Sequence, residues 1–280
     1  MAGILWLASY TKSGNTWLRV FLYNLLSNAT EANSVKGIKA LNYSDSHSHL
    51  FQHVSDKPVA DLTIAEIAAL RGDMHRSLAK GNKDSIFIKT HSCLCEQMGH
   101  DQITMDATSG AIYVMRNPLD VCISMAPHFH ISVDEAIEWL TDYTFTAGGT
   151  ETDVPYIIGG WSRHVESWTR PGASSTLHIL RYEDMTFRPG PTFKGLAKFL
   201  GMKPPSDVLK RAIRLSSFKT VQEQEIRDGF EENLSNGENF FRVGKANQWK
   251  SILTEDQIRR VVEGNYDVMK QFNYLPPGYE

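Results

Sequence analysis

The chain has 280 residues, of which 41% are hydrophobic, and its formal net charge is −3 at pH 7. A chain of this size can bury one full core, so we expect a single domain over residues 1–280. The slightly acidic balance excludes a general binder of nucleic acid or of anionic membrane surfaces. Any basic site must therefore be local.

The three cysteines are too few, and odd in number, for a disulfide framework. We therefore expect reduced thiols in a cytoplasmic protein. No apolar run approaches the length of a membrane span, and the start lacks the basic and apolar regions of a signal peptide. Neither a membrane nor a nucleic acid is expected as a partner.

The first 26 residues predict a strand, a tight loop and a helix in succession. Residues 4–8 form a short apolar run that is typical of a buried strand. Small and polar residues over 9–16 end this run, and apolar residues then recur at helical spacing. Amides at the start of such a helix attract anions. Lys12 adds a charge and Ser13 and Thr16 add hydroxyl groups, so the loop is predicted to bind phosphate.

This loop differs from the Walker A motif, G-x-x-x-x-G-K-[ST]. Ser9 stands in place of the first glycine and Asn15 in place of the lysine, whereas Gly14 and Thr16 are kept. The lysine lies upstream instead, at position 12, which removes the main support for binding of MgATP. A P-loop kinase or NTPase that uses MgATP remains an alternative, although no acidic pair follows a predicted strand to hold magnesium.

Further along the chain, predicted strands alternate with predicted helices. Strands are indicated at residues 85–89, 111–115 and 176–180 by short runs of apolar residues. Residues 27–58 indicate a long irregular loop, and residues 229–244 a mobile flap. Helices are predicted after the capping residues Thr63, Asn117, Ser132 (with Tyr143 facing inward) and Thr254, and at residues 161–168, 192–200 and 207–215.

This order predicts an α/β domain with a central, mostly parallel sheet flanked by helices. In such sheets ligands bind at the carboxyl ends of the strands. Lys12, His91, Arg116 and Tyr182 each lie just past the end of a predicted strand. We therefore expect these four side chains to converge on one crevice.

Three motifs up to residue 124 resemble the sulfotransferases that use 3′-phosphoadenosine 5′-phosphosulfate (PAPS). Residues 10–17, YTKSGNTW, resemble the 5′-phosphosulfate loop Y-P-K-[SA]-G-[TN]-T-W, with threonine in place of proline. Residues 89–91, KTH, match the segment that carries the catalytic base. Residues 113–124, YVMRNPLDVCIS, are similar to the 3′-phosphate motif.

Three later motifs extend the resemblance to residues 3–272. Residues 182–185, YEDM, resemble a strand end of the family, and residues 216–218, SSF, resemble the segment that stacks on adenine. Residues 242–244, RVG, with the WK pair at 249–250 resemble the closing loop R-K-G…W-K. Six motifs in order are a specific signal. Residues 3–10 and 14–19 look more like bacterial members, including those that act on glycopeptides.

The resemblance implies a P-loop-like sulfotransferase fold and metal-free transfer of a sulfuryl group from PAPS to a hydroxyl or amine of a small molecule. The product of the donor is adenosine 3′,5′-bisphosphate (PAP). His91 is the implied general base, and Lys12 and Lys89 are the implied catalytic cations. The residues implied in nucleotide binding are Lys12, Ser13, Gly14, Asn15, Thr16, Trp17, Arg116, Ser124, Tyr182, Ser216, Phe218, Arg242, Val243 and Gly244.

A non-catalytic module that binds PAP is a further alternative. It would keep Arg116 and Ser124 but dispense with His91 and Lys89, and both of these are present. The family's dimer segment, K-x-x-x-T-V-x-x-x-E, is broken after residue 254, where Glu255 and Arg259 replace the valine and the glutamate. The sequence leaves open whether the protein forms a homodimer, but we do not expect a dimer through the segment that the family's animal members use.

The acceptor pocket is expected in the segments 27–58, 125–131, 142–158 and 229–241, where the family motifs give no guide. Several of the aromatic residues there and nearby indicate an aromatic or apolar acceptor: Phe129, Trp139, Tyr143, Phe145 and Phe230.

Overall fold

The computed structural model describes residues 3–80, 83–170, 176–230 and 239–280. The strands are β1 (Ile4–Ser9), β2 (Ile86–Thr90), β3 (Glu96–Gln97), β4 (His100–Asp101), β5 (Thr108–Met115), β6 (Thr146–Ala147), β7 (Tyr156–Ile157) and β8 (Leu177–Arg181). The helices are α1 (Asn15–Leu26), α2 (Ser34–Gly37), α3 (Ser48–Gln52), α4 (Ile64–Ala79), α5 (Pro118–Phe129), α6 (Val133–Thr141), α7 (Trp161–Thr169), α8 (Tyr182–Phe187), α9 (Pro189–Phe199), α10 (Ser206–Leu215), α11 (Phe218–Asp228), α12 (Trp249–Ile252) and α13 (Glu255–Gln271).

Four strands form a parallel sheet in the order β2-β1-β5-β8. The first strand lies in the middle because it pairs with β2 on one side and with β5 on the other. All four carboxyl ends therefore meet at one edge, and the loops that follow them share one end of the molecule. The predicted fold class, an α/β domain with a mostly parallel sheet, is confirmed.

Both faces of the sheet are buried, and the alternation of side chains along β1 shows how. Ile4, Trp6 and Ala8 belong to one core, which includes residues of α5, α6, α7 and α13. Leu7 points to the opposite core, with residues of α1, α8, α9 and α10. Because both sides are apolar, the strand reads as a continuous hydrophobic run in the sequence. Each fully buried leucine or isoleucine contributes about 1.5–3 kcal/mol.

The helix starts follow the capping residues that the sequence indicates. Thr63, Ser132 and Thr254 each form a capping box with the residue three positions later. The side chain of Asn117 accepts a hydrogen bond from the amide of Leu119, and a proline occupies the first turn of α5. These local signals hold because they involve residues within one turn of each other.

The segment 27–58 differs from the irregular loop that its composition predicts. It contains the short helices α2 and α3, and its polar residues Ser34, Asp45 and Ser46 are buried. The amide of Lys89 donates to the carbonyl of Tyr43, so part of the segment runs along the edge of β2. Polar composition is misleading here because these side chains bind other buried groups instead of water.

One further prediction about local structure is wrong, and one helix was not predicted at all. Tyr143 is 65% exposed because α6 ends at Thr141, two residues before it. Helix α11 was not predicted, since few of its residues are apolar, and it lies directly before the predicted flap. Residues 231–238 of that flap lie outside the described residues. No helix within the described part of the chain is long and apolar enough to cross a bilayer.

Candidate active site

A cavity of about 520 Å³ opens at the carboxyl edge of the sheet. Lys12, His91, Arg116 and Tyr182 all line it, so the predicted convergence of these four side chains is confirmed. Of the other predicted site residues, only Ser13 does not line the cavity. Those that do are Gly14, Asn15, Thr16, Trp17, Lys89, Ser124, Ser216, Phe218, Arg242, Val243 and Gly244.

The loop between β1 and α1 is a tight turn that needs a glycine. Gly14 has a φ of 108°, and a Cβ atom built there would lie 2.8 Å from the Tyr182 ring. The side chain of Asn15 donates to the carbonyl of Leu7 at 2.8 Å, which fixes the start of the helix to the strand. The first amides of a helix have no partner within it, so the turn presents donors to the cavity.

Several buried polar atoms at this turn lack a hydrogen-bond partner among the described residues. They include the hydroxyl groups of Thr11 and Ser13, Nε1 of Trp17 and Nε of Arg116. An unpaired buried donor costs about 1–3 kcal/mol, so such atoms are rare unless something else satisfies them. Their grouping around this one turn fits a polyanionic ligand.

Arg116 joins the first turn to a second segment near the end of the chain. Its Nη1 donates to the carbonyl of Lys12 at 3.3 Å and its Nη2 to the carbonyl of Lys245 at 3.1 Å. The guanidinium carbon lies 4.2 Å from the centre of the Tyr182 ring. The two carbonyls and the ring hold the guanidinium group in one orientation. A fixed pair of N–H donors suits recognition of a phosphate.

The segment 240–244 forms a wall of the cavity next to α11. The carboxylate of Glu225 accepts hydrogen bonds from the amides of Phe240 and Phe241, at 2.6 and 2.9 Å. A Cβ atom at Gly244 would lie 2.0 Å from the ring of Phe218, so this ring packs directly on the backbone. The Nζ atom of Lys12 lies 3.9 Å from the centre of the Phe240 ring. Neither Glu225 nor Phe240 was identified from the sequence.

His91 is held in a defined tautomer by the strand beside it. Its Nδ1 atom lies 2.7 Å from the carbonyl oxygen of Ser9, which only a protonated Nδ1 can donate to. The lone pair is therefore on Nε2. Burial, followed by the positive charge of Lys89, lowers the pKa of His91 well below its ordinary value. The imidazole is thus neutral at neutral pH, the state that accepts a proton.

A second histidine, His164, contacts the backbone of His91. His164 is fully buried, and its Nε2 lies 3.2 Å from the carbonyl oxygen of His91 while its Nδ1 lies 2.8 Å from the hydroxyl of Tyr113. Burial lowers the pKa of His164 to about 3. This neutral ring fixes the backbone that carries His91.

The part of the cavity beyond His91 is formed by the four segments in which acceptor residues were expected. Their lining residues are Asn42, Ser44, Ser46, His47, Pro127, His128, Phe129, Ala147, Gly148, Thr150, Asp153, Tyr156, Ile158, Asn239, Phe240 and Phe241.

The prediction of which aromatic residues line this part was mostly wrong. Of the five proposed, only Phe129 reaches the cavity. Trp139 and Phe145 stack on each other with ring centres 4.8 Å apart, and Phe230 packs 5.0 Å from Phe240. Composition identified the segments but not the direction in which each ring points.

The comparisons with known proteins agree with this geometry. The family model described as a sulfotransferase domain matches residues 4–273. Sulfotransferase 2A2 of Rattus norvegicus is 30% identical over 172 residues, which span 60% of this chain and 58% of the rat protein. Flavonol 3-sulfotransferase of Flaveria bidentis is 26% identical over 276 residues, covering 91% of this chain and 78% of the plant protein.

Two solved structures share the fold. A mouse sulfotransferase complexed with PAP matches with a TM-score of 0.62 and 20% identity, covering 96% of this chain and 85% of that one. Retinol dehydratase in a complex with retinol and PAP matches with a TM-score of 0.65 and 18% identity, covering 95% and 81%. Since the family model spans nearly all of the sequence, this chain belongs to the sulfotransferase domain family.

Proposed function

We propose that this protein transfers the sulfuryl group of PAPS to a hydroxyl group of a small-molecule acceptor, with His91 as the general base. Family membership supports the donor and the class of reaction. The observation that carries the mechanism is the hydrogen bond from Nδ1 of His91 to Ser9, which leaves Nε2 as a proton acceptor in a residue that lines the cavity.

The residues present fit the donor. The amides of the turn and the charge of Lys12 suit the 5′-phosphosulfate, and Arg116 with Ser124 suits the 3′-phosphate. The aromatic and hydroxyl groups between them suit adenine and ribose. The residues proposed for this part are Trp17, Tyr182, Ser216 and Phe218, closed over by Arg242, Val243 and Gly244.

When bound, PAPS supplies the sulfuryl group, which passes in line to the acceptor oxygen as PAP leaves. His91 takes the proton of the acceptor hydroxyl on Nε2, because that hydroxyl has a pKa far above neutral and is a weak nucleophile while protonated. Lys12 provides positive charge at the donor side, where negative charge develops. Lys89 provides a second cation close enough to His91 to lower its pKa.

The test is transfer of labelled sulfate from PAPS to a panel of phenols, alcohols, amines and sugars, run with EDTA present. We expect labelled product with at least one hydroxyl acceptor, and calorimetric binding of PAP without magnesium. Absence of PAP binding in EDTA, with binding of ATP restored by magnesium, would overturn the proposal in favour of a kinase or NTPase. Binding of PAP with no transfer to any acceptor would favour a non-catalytic module.

A further inference from the structure

Asp153 is the one acidic side chain among the described residues that line the cavity. The charged residues elsewhere in the described lining, Lys12, Lys89, Arg116 and Arg242, are cations. A carboxylate in the same cavity as a polyanionic donor disfavours that donor by Coulomb repulsion. A role in binding the acceptor therefore explains this carboxylate better than a role in binding the donor.

The carboxylate of Asp153 is held in place without being neutralised. One oxygen accepts from the hydroxyl of Ser46 at 2.6 Å and the other from the hydroxyl of Thr152 at 2.8 Å. The amide of Asp153 donates to the side chain of Thr150. No lysine or arginine in the described part of the chain forms an ion pair with it. Since a carboxylate offers about four acceptor positions, two neutral donors leave room for a ligand.

Backbone pairing links the segment of this carboxylate to the strand that leads to His91. Ser44 pairs with Lys89 in β2, and three residues later His47 pairs with Asp153. The lining also contributes apolar surface from Phe129, Tyr156 and Ile158. The cavity thus combines a carboxylate and apolar walls with the proposed proton acceptor, His91.

We propose that Asp153 recognises a cationic amine on the acceptor, so that the substrate class is an amino alcohol or amino phenol with an apolar body between its two polar ends. This inference rests on the proposed function, because it assigns a role to one wall of the same cavity. An ammonium group is favoured over a second hydroxyl because a hydrogen bond between opposite charges is roughly twice as strong as a neutral one. It also offsets the cost of a partly buried carboxylate.

The experiment compares matched acceptors that differ only in the charged group. The pairs are tyramine with para-propylphenol and aminohexanol with heptanol, assayed for kcat/KM with saturating PAPS. We expect the amine-bearing member of at least one pair to be preferred by about 10- to 100-fold, the size of one charge-assisted hydrogen bond. In Asp153→Asn the preference should fall to within about 3-fold, with the affinity for PAP unchanged.

Asp142→Asn is the matched control. Asp142 lies in the same connection between α6 and α7 and accepts hydrogen bonds from the amide and hydroxyl of Thr144, but it does not line the cavity. This variant should keep the preference of the wild type. Thermal unfolding of both variants checks that the loop remains folded.

Three results would overturn the proposal. The wild type could treat both members of each pair alike, or transfer to neither, while still sulfating other acceptors. Alternatively, Asp153→Asn could lower kcat/KM equally for charged and neutral acceptors, which would mean that the carboxylate only shapes the loop. Failure of the proposed function itself is distinguishable, because no acceptor of any kind would then be sulfated.

Discussion

The Nδ1 atom of His91 lies 2.7 Å from the carbonyl oxygen of Ser9, the last residue of β1. The strand that leads into the proposed phosphate-binding turn therefore also orients the proposed base. Parallel pairing of β1 with β2 brings these residues together, because the two strands end side by side. Donor turn and base are thus fixed by one element, which keeps the distance between them constant. Such positioning accounts for much of the catalysis in group-transfer reactions.

Replacing the proposed base should affect turnover and leave nucleotide binding intact. We expect His91→Ala to lower kcat by about 10²- to 10⁴-fold. The loss should be smaller for acidic phenols, which ionise without help, than for aliphatic alcohols. Steady-state kinetics with both acceptor types, and calorimetry with PAP, are the measurements. His100→Ala is the control, since His100 is exposed and outside the cavity. Near-normal turnover of an alcohol by His91→Ala would assign the proton to another group.

Arg116 should act on the donor and not on the acceptor. In Arg116→Ala the loss of a forked, charged contact should cost about 2–4 kcal/mol, which raises the Kd for PAP about 30- to 1,000-fold. Arg116→Lys should recover part of this loss, since it keeps the charge but not the fork. Arg163→Ala is the control, because this arginine contacts the Tyr143 carbonyl away from the cavity. Unchanged donor affinity in both Arg116 variants would exclude this residue from the phosphate site.

The parts of the structure that the sequence predicts are those with local causes. A capping residue such as Ser132 and its partner Glu135 are three positions apart, so their spacing is visible in the sequence. The end of a buried strand is equally visible, and parallel pairing then brings Arg116 and His91 to one edge. Beyond the parallel pairing of the strands, which alternation of strands and helices already predicts, these features need no knowledge of how distant segments pack.

The acceptor end depends on distant pairing, which the sequence does not show. Asp153 enters the cavity because residues 46–48 pair with residues 152–154, about a hundred positions later. Helix α11 has little apolar periodicity, because its Glu225 and Gln222 bind backbone groups of the segment 240–242 instead of packing in a core. Polar side chains with buried partners look the same in a sequence as polar side chains in water.

Gly14, in the proposed phosphate-binding turn, should not tolerate any side chain. In Gly14→Ala the new Cβ would meet the Tyr182 ring at 2.8 Å, and the φ of 108° is unfavourable for alanine. We expect lower stability, by about 1–3 kcal/mol, and weaker binding of PAP because the ring packs against Arg116. Gly190→Ala is the matched control, since nothing lies near its Cβ position. Equal stability and PAP affinity in the two variants would contradict the requirement for glycine.

Stability should fall as the pH falls below about 6.5, the ordinary pKa of histidine. Burial lowers the pKa of His75 and of His91 well below that value, and the pKa of His164 to about 3. The unfolded chain therefore binds protons that the folded chain excludes, and the free energy of unfolding decreases with acidification. For His164 the loss begins near pH 6.5 and ends near pH 3. Each such group contributes about 1.4 kcal/mol per pH unit within its window.

Denaturant unfolding between pH 5 and pH 7.5 measures this dependence. We compare the wild type with His164→Asn, because the difference between the two curves cancels the titrating groups that His164 does not affect, including the buried Asp45, whose pKa is raised by burial. The contribution of His91 does not cancel fully, since His164 is one of the groups that lower its pKa. Below pH 6.5 the slope for His164→Asn should be lower, by an amount that approaches about 1.4 kcal/mol per pH unit towards pH 5, even where its overall stability is reduced. His100→Ala should leave the slope unchanged, since that ring is exposed. Parallel curves for the wild type and His164→Asn would show that His164 takes up its proton equally in the folded and unfolded states.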